Sequence, residues 1–500
     1  MFLDHPARPW TVDATTMGLE PAQLDALDWA RVFAEMEALE GGAIANPDEG
    51  RAVGHYWLRA PERAATMGDA RAIGETLEAV RTFAEGVRAG RLRTEQDEPF
   101  TDLLHIGIGG SALGPQLIVD ALGGDTGLRV SFLDNTDPDG IARVLGRLGD
   151  RLRTTLVTVV SKSGGTAETR NGMELVEAAL RARGLLTAPR FVAITQEGSK
   201  LHQHAVAEGW RKIFPMWPWV GGRVSVCSAV GVLPAELAGI DTVAMLAGAR
   251  DMDEWTRTSA WRENPAALLA GAWHAVGGGR GDRAMVVLPY SDRLLLLSRY
   301  LQQLVMESLG KRLDRHGNVV EQGLVVYGNK GSTDQHAYVQ QLRDGRNDFF
   351  ATFLAVTGDG AAPNEPSYRA AGDDLIGFLL GTRRALRESG RPSMVIGVPR
   401  VDAYALGGLI ALFERAVGLY AALVDVNAYD QPGVEAGKKA AADVVALQAR
   451  ALAALDRPTT LEELAGTANG DPTELWWLLQ RLIATHRVVR RDGRYVRAGQ

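Results

Sequence analysis

The chain has 500 residues, 46% of them hydrophobic and 23% charged, with a formal net charge of −7. That is the make-up of an ordinary globular protein of several domains, because single cores stop growing near ~250–300 residues. It argues against a protein built to coat nucleic acid, and no apolar run reaches the ~18–20 residues of a membrane span. The opening MFLDHPARPW lacks a basic segment followed by an apolar one, so no signal peptide is expected. The single Cys227 excludes an intrachain disulfide and fits a reducing, cytoplasmic setting.

Residues from about 13 to 98 read as helical, with Leu24, Leu27, Val32, Met36 and Leu39 at rough helical spacing. Short apolar strands then alternate with helices. Leu103–Ile108 stops at glycines, and Ala112–Leu122 resumes at helical spacing. Val130–Leu133, Leu156–Val160 and Phe191–Ile194 read as strands, with a helix at Ala167–Arg183. After helical Ala244–Trp273 the pattern repeats: strand Ala284–Leu288, helix Leu294–Met306, strand Leu324–Val326, helix Gln335–Leu342, strands Phe349–Val356 and Met394–Val398. Such alternation predicts parallel, doubly wound sheets, which bind ligands at the carboxyl ends of their strands. The tail reads helix (from Thr460), helix (Pro472–Thr485) and hairpin (Val488–Val496, turning at Asp492-Gly493), a winged-helix-like order. The expected domains are a helical layer (1–98), an α/β lobe (99–245), a helical linker (246–274), a second α/β lobe (275–445) and the tail (446–500).

The polar turns fall where such sheets bind. His105-Ile-Gly-Ile-Gly-Gly-Ser-Ala-Leu-Gly-Pro115 is a strand-to-helix glycine turn. Ala112 stands at the third position of a dinucleotide fingerprint, and Pro115 stands where a P-loop needs Lys. Bare N–H groups near a helix start remain, at Gly110 and Ser111, suited to an anion or a hydroxyl. Ser161-Lys-Ser-Gly-Gly-Thr-Ala-Glu-Thr169 follows a buried strand and opens a helix. Its hydroxyls, glycine N–H groups and helix dipole make a cradle for one phosphomonoester. Arg223 follows Gly221-Gly222 and is a candidate for holding an oxyanion. Glu307 sits near the carboxyl end of its helix, against the dipole. That position suggests either a partner such as Lys311 or a base. His336 is expected at a helix start, which favours the neutral imidazole. Asp430-Gln-Pro-Gly-Val-Glu-Ala-Gly-Lys438 ends in a Lys within a helix start. His202-x-His204 lacks companions for a metal site. Of 54 basic residues only seven are Lys. Lys162, Lys311, Lys330 and Lys438 nevertheless stand in the motif-like stretches, as if required as Lys.

In this order GIGGSALGP, SKSGGTAET, GGR, MESLGK, STDQHAYVQQL and DQPGVEAGK resemble the phosphoglucose isomerases of the sugar-isomerase (SIS) fold, in their cyanobacterial-type bacterial branch. The resemblance covers residues 100–445 and implies two SIS lobes. It implies interconversion of glucose 6-phosphate and fructose 6-phosphate through a cis-enediolate, in glycolysis and gluconeogenesis, with no metal or cofactor. Glu307 would be the base, Arg223 would stabilise the enediolate, and His336 with Lys438 would open the ring. Ser161, Lys162, Ser163, Thr166 and Thr169 would bind phosphate, and Gly110, Ser111 and Gln431 would line the sugar site. It implies a cytoplasmic homodimer in which His336 serves the neighbouring subunit. Leu309, Gly164-Gly165 and Pro432 depart from the family pattern, and the two glycines with Leu309 leave mannose 6-phosphate open as a second substrate. The arginines of the tail (Arg487, Arg490, Arg491, Arg494, Arg497) raise the alternative of a sugar-phosphate-sensing DNA-binding regulator, although a sensor would leave the catalytic set idle.

Overall fold

The computed structural model describes residues 1–124 and 126–499, apart from the side chains of Val434, Glu435, Ala436 and Lys438. Its first elements are strands, β1 (Phe2–Asp4) and β2 (Thr11–Thr16), paired antiparallel ahead of the expected helical layer. β2 buries Val12 and Ala14 and turns Thr15 outward. This is the period of two of a half-buried strand, in a segment short enough to pass for a helix start. The layer itself follows in the helices Trp29–Glu40 and Met67–Arg88, capped by Asp28 and Thr66.

The first lobe contains β3 (Asp102–Ile106), β4 (Arg129–Leu133), β5 (Thr155–Val160), β6 (Phe191–Thr195) and β7 (Lys212–Pro215). They form one parallel sheet in the order β4-β3-β5-β6-β7. β3, β5 and β6 are buried at every position, as strands covered on both faces must be. β7 is four residues ending in Pro, too short for a periodic signal.

The second lobe adds β8 (Ala284–Pro289), the hairpin β9 (Lys311–Leu313) and β10 (Val319–Gln322), then β11 (Val326–Tyr327), β12 (Phe349–Val356) and β13 (Ser393–Val398). Its main sheet runs β1-β2-β13-β12-β8-β11, parallel from β13 to β11, with β2 antiparallel on β13. The helix Ala403–Leu423, long and apolar enough by composition to cross a membrane, is packed in the core against the helices Thr242–Trp255 and Pro265–Val276. Glu414 and Arg415 interrupt its apolar run and are themselves buried.

Two local departures bear on the site. The helix expected over Leu294–Met306 is α-helical only at Leu297–Leu301. It then widens into a π-helix, Gln302–Glu307, a deviation that concentrates at functional positions. His336 does not open an α-helix. It ends a 3₁₀ turn, Thr333–His336, and the helix Val339–Asp344 follows.

The chain divides into two compact units, one up to Asp430 and one from Gln431 on. The helix Pro432–Ala454 stands in the second, ahead of the boundary expected at 446. That unit continues with Leu461–Ala468, opened by a Thr460–Glu463 capping box, and Pro472–Ala484, capped by Asp471. The hairpin β14 (Val488–Arg491) and β15 (Arg494–Arg497) follows. Asp492 and Gly493 both have positive φ, as a two-residue hairpin turn of the primed type demands. Leu447, Ala451, Leu464, Leu475, Leu479, Leu482 and Tyr495 form a core of its own.

Candidate active site

Three segments meet at the carboxyl edge of the first sheet. β5 ends at Ser161, and the loop runs to Thr166, which precedes the helix Ala167–Arg181. Ser161 Oγ accepts the Gly164 N–H at 3.1 Å, and Ser163 Oγ accepts the Gly165 N–H at 3.2 Å. Ser161 Oγ also lies 3.4 Å from Thr166 Oγ1. Thr169, in the first helical turn, has a buried hydroxyl without a hydrogen-bond partner. Gly164 has φ +67°, and a Cβ there would come within 2.2 Å of the Leu201 nitrogen, so the loop's path requires glycine. Donors, hydroxyls and the helix N-terminus converge as an anion cradle needs. Lys162, expected among the phosphate ligands, instead donates to the carbonyl oxygens of Pro218 (2.7 Å) and Val220 (2.9 Å).

The glycine turn after β3 joins this cradle to the rest. A Cβ on Gly110 would stand 2.0 Å from the Gly222 oxygen, so the turn lies directly on the backbone that carries Arg223. A Cβ on Gly109 would meet Gln303 Nε2 at 3.0 Å, on the Glu307 helix. Beneath the turn, His105 Nε2 lies 2.7 Å from the Ser111 carbonyl oxygen and Nδ1 lies 2.9 Å from Thr158 Oγ1. A carbonyl only accepts, so Nε2 carries the proton. Burial pushes this imidazole down to about 4, and it stays neutral as a fixed brace.

Glu307 and Arg223 come together. Arg223 Nη1 is 3.5 Å from Glu307 Oε1, and Gln303 Nε2 donates to Glu307 Oε2 at 2.9 Å. Arg223 is held from behind: Nε donates to Ser308 Oγ (2.8 Å), and Nη2 donates to the oxygens of Ala428 (2.5 Å) and Asp430 (2.9 Å). Lys311, the alternative partner for the Glu307 carboxylate, reaches its main-chain oxygen instead (3.0 Å), together with Asp430 O and Oδ1 at 2.8 Å. Gly310 and β9 have by then left the helical register, so the i,i+4 side-chain geometry is gone. Burial lowers the Lys311 pKa, against the opposing effect of the hydrogen bond that its ammonium donates to Asp430. The Glu307 side chain keeps 18% of its surface while Arg223 keeps 6%, so the carboxylate remains reachable.

The remaining expected residues lie elsewhere. His336 is exposed. Its loop is tied down by Asp334, which accepts from Asn329 N (3.0 Å) and Tyr338 Oη (2.5 Å), and by Gln335, which donates to Tyr290 Oη at 3.0 Å. Among the described residues no hydrogen bond or ion pair joins His336 to Glu307 or Arg223. Gln431 precedes the helix Pro432–Ala454 of the second unit, and the Lys438 side chain lies outside the described residues. Among the described residues no three His, Cys, Asp or Glu are grouped to hold a metal ion. Gln303, Ser308 and Asp430 are the site residues that motif reading passed over. Gln303 carried one signal, a polar residue four before Glu307.

A carboxylate facing a guanidinium beside an anion cradle, on a sheet of this topology, is the site of a sugar-phosphate-handling protein. The family is specific: a family model for phosphoglucose isomerase matches residues 20–365 and 381–458, and the chain belongs to that family. The chain is 55% identical over 503 residues to a glucose-6-phosphate isomerase of Synechococcus sp. (strain JA-2-3B'a(2-13)), covering 98% of this chain and 94% of that one. It is 56% identical over 465 residues to the glucose-6-phosphate isomerase of Geobacter sp. (strain M21), covering 91% and 88%. Its fold is similar to the crystal structure of a glucose-6-phosphate isomerase from Chlamydia trachomatis D/UW-3/Cx. The TM-score is 0.78 at 27% identity, over 88% of this chain and 89% of that one.

Proposed function

We propose that the protein interconverts glucose 6-phosphate and fructose 6-phosphate by proton transfer on the open-chain sugar. The observation that carries this is the Glu307 carboxylate, set by Gln303 and facing Arg223 Nη1 at 3.5 Å. The carboxylate takes the C2 proton of the aldose, the carbonyl electrons pass to O1, and a cis-enediolate forms. The same proton returns to C1 to give the ketose, while a hydroxyl proton is exchanged between O2 and O1. Arg223 spends Nε and both Nη2 hydrogens on Ser308, Ala428 and Asp430, which leaves the Nη1 hydrogens for the developing oxyanion. Ser161, Ser163, Thr166 and Thr169 hold the phosphate, and Gly110, Ser111 and Gln431 line the sugar.

His336 opens the ring, assisted by Lys438. Its exposure, with no hydrogen bond or ion pair to Glu307 among the described residues, supports a homodimer in which it serves the partner's site. Of the departures that leave mannose 6-phosphate open, Gly164 is required against the Leu201 nitrogen and Leu309 is fully buried, while Gly165 has room for a side chain.

The test is conversion of fructose 6-phosphate to glucose 6-phosphate by the purified protein, read through a coupled dehydrogenase. Glu307→Gln is expected to fold and bind while losing roughly 10²–10⁴-fold in turnover. Mixed dimers of Glu307→Gln and His336→Ala are expected to recover turnover that neither variant has alone. Failure of every mixture, with each variant folded and dimeric, would defeat the shared site. Wild-type rate in Glu307→Gln would remove Glu307 from the mechanism.

A further inference from the structure

Lys162 stands between Ser161 and Ser163, whose hydroxyls bond N–H groups of their own loop. Its side chain leaves that loop and ends on the carbonyl oxygens of Pro218 and Val220, at 2.7 and 2.9 Å. Arg223 follows Val220 by three residues. The strap between is stiff. Trp217 and Trp219 stack with ring centroids 4.9 Å apart, Trp219 packs on Trp57 at 5.1 Å, and Gly222 is pressed against Gly110. An ammonium has three hydrogens to give, and two are committed to the strap. Moving the group onto a phosphate would strand two carbonyls.

We propose that Lys162 is a positioning residue that couples the phosphate loop to Arg223, fixing the strap Trp217–Gly222 so that the guanidinium meets Glu307. This rests on the isomerase reading above. Occupation of the cradle orders residues 161–165, and through Lys162 the same event sets the cation used in the chemical step. Phosphate binding thereby acts on turnover and not only on affinity. The charged groups near the ammonium are Arg51 and Glu49, themselves paired at 2.6 Å. Burial, aided by Arg51 and opposed by Glu49, pushes the ammonium down to about 8, so the tie is made at neutral pH and weakens above it.

The test is Lys162→Met, which keeps the stem and removes the charge, assayed with fructose 6-phosphate and with inorganic phosphate as a competitive inhibitor. KM and the phosphate inhibition constant are expected to stay within about 3-fold while kcat falls roughly 10–100-fold, the scale of a misplaced catalytic group. A rise of both constants with kcat retained would make Lys162 a plain phosphate ligand, and unchanged kinetics would make it neither; both overturn the proposal. Circular dichroism shows whether the Met variant is folded. If it is not, Lys162→Arg, which keeps a cation at every pH, decides. Its kcat is expected to hold to higher pH than that of the wild type, and coincident alkaline falls in the two proteins overturn the proposal. A wild type without turnover would instead defeat the isomerase reading, so the two failures are distinct.

Discussion

Two of the buried arginine–carboxylate assemblies in the first unit differ in a way that separates function from framework. In one, the carboxylate of Asp253 accepts from three guanidiniums: Arg59 (2.8 Å), Arg415 (2.8 Å) and Arg257 (2.5 Å). Arg59 also bonds Glu414, and Arg415 and Arg257 bond Glu40. This network ties the N-terminal layer to the linker helix and to the central helix Ala403–Leu423, with Glu414 Oε1 and Arg415 Nε left without a hydrogen-bond partner among the described residues. In the other, Arg223 is anchored on three sides, yet its Nη1 meets Glu307 at only 3.5 Å and the carboxylate is partly open. A small cavity of about 20 Å³, room for one water, is lined by residues of both assemblies, Arg223 and Glu414, with Ser308 and His55. Residue types are alike, but the Asp253 side chain is 1% exposed and that of Glu307 18%. The distinction is saturation at the carboxylate: Asp253 has guanidiniums on both of its oxygens, whereas Glu307 Oε1 stands 3.5 Å from Arg223 and is held back for a substrate.

Arg223→Lys tests that distinction most severely. A lysine keeps the charge but offers three donors from a point, and it cannot serve Ser308, two carbonyls and an oxyanion together. Turnover is expected to fall roughly 10²–10³-fold, as when a preorganised oxyanion donor is lost, with KM changed far less. A rate within a few-fold of wild type would mean that charge alone suffices and the saved Nη1 hydrogens are not what matters.

Asp253→Asn should do the reverse. Removing one partner of a buried ionic network costs about 3–5 kcal/mol of stability, measurable by urea unfolding, while kcat per folded molecule is unchanged. Burial alone would raise the Asp253 carboxyl, but Arg59, Arg415 and Arg257 outweigh it and hold it far below its ordinary 3.8. The unfolded chain therefore binds the proton first on acidification. The stabilisation is present above that ordinary value and is lost as the pH falls below it. The wild type should lose more stability than the Asn variant between pH 7 and pH 3. Equal losses would take Asp253 out of the network's electrostatics.

Sequence made the sheets legible because their strands are short apolar runs bounded by glycine or hydroxyl turns, and β3, β5, β6, β8, β12 and β13 stand where that pattern puts them. The site's backbone elements were legible for the same reason. What sequence could not separate was Arg223 from Arg59 or Arg415, since saturation is a property of three-dimensional neighbours. Nor could it show Lys162 turning away from its own loop, or the π-turn that takes Glu307 and Lys311 out of simple i,i+4 pairing. β1, β2 and β7 escaped because three to six residues carry too little periodicity.

The second unit offers the smallest effect and a third case of the comparison. Its arginines suggested a nucleic-acid face, yet several are spent internally. Arg494 pairs with Glu463 at 3.2 Å, Arg497 donates to the Leu452 oxygen at 2.6 Å, and Arg490 lies over the Tyr495 ring at 5.5 Å. The helix that would read bases begins with Asp471 and Glu474, which would repel phosphates just where such helices make contact. By the saturation criterion these charges are framework. Trp477 is the exception, 65% exposed beside the buried Leu475 and Leu479. Trp477→Ser should therefore change stability by less than ~0.5 kcal/mol, the range of surface substitutions, and leave turnover untouched. A loss above about 1 kcal/mol, or a fall in kcat, would show the indole held by a contact of the working enzyme. It would place the appendage among the parts that keep something back for a partner.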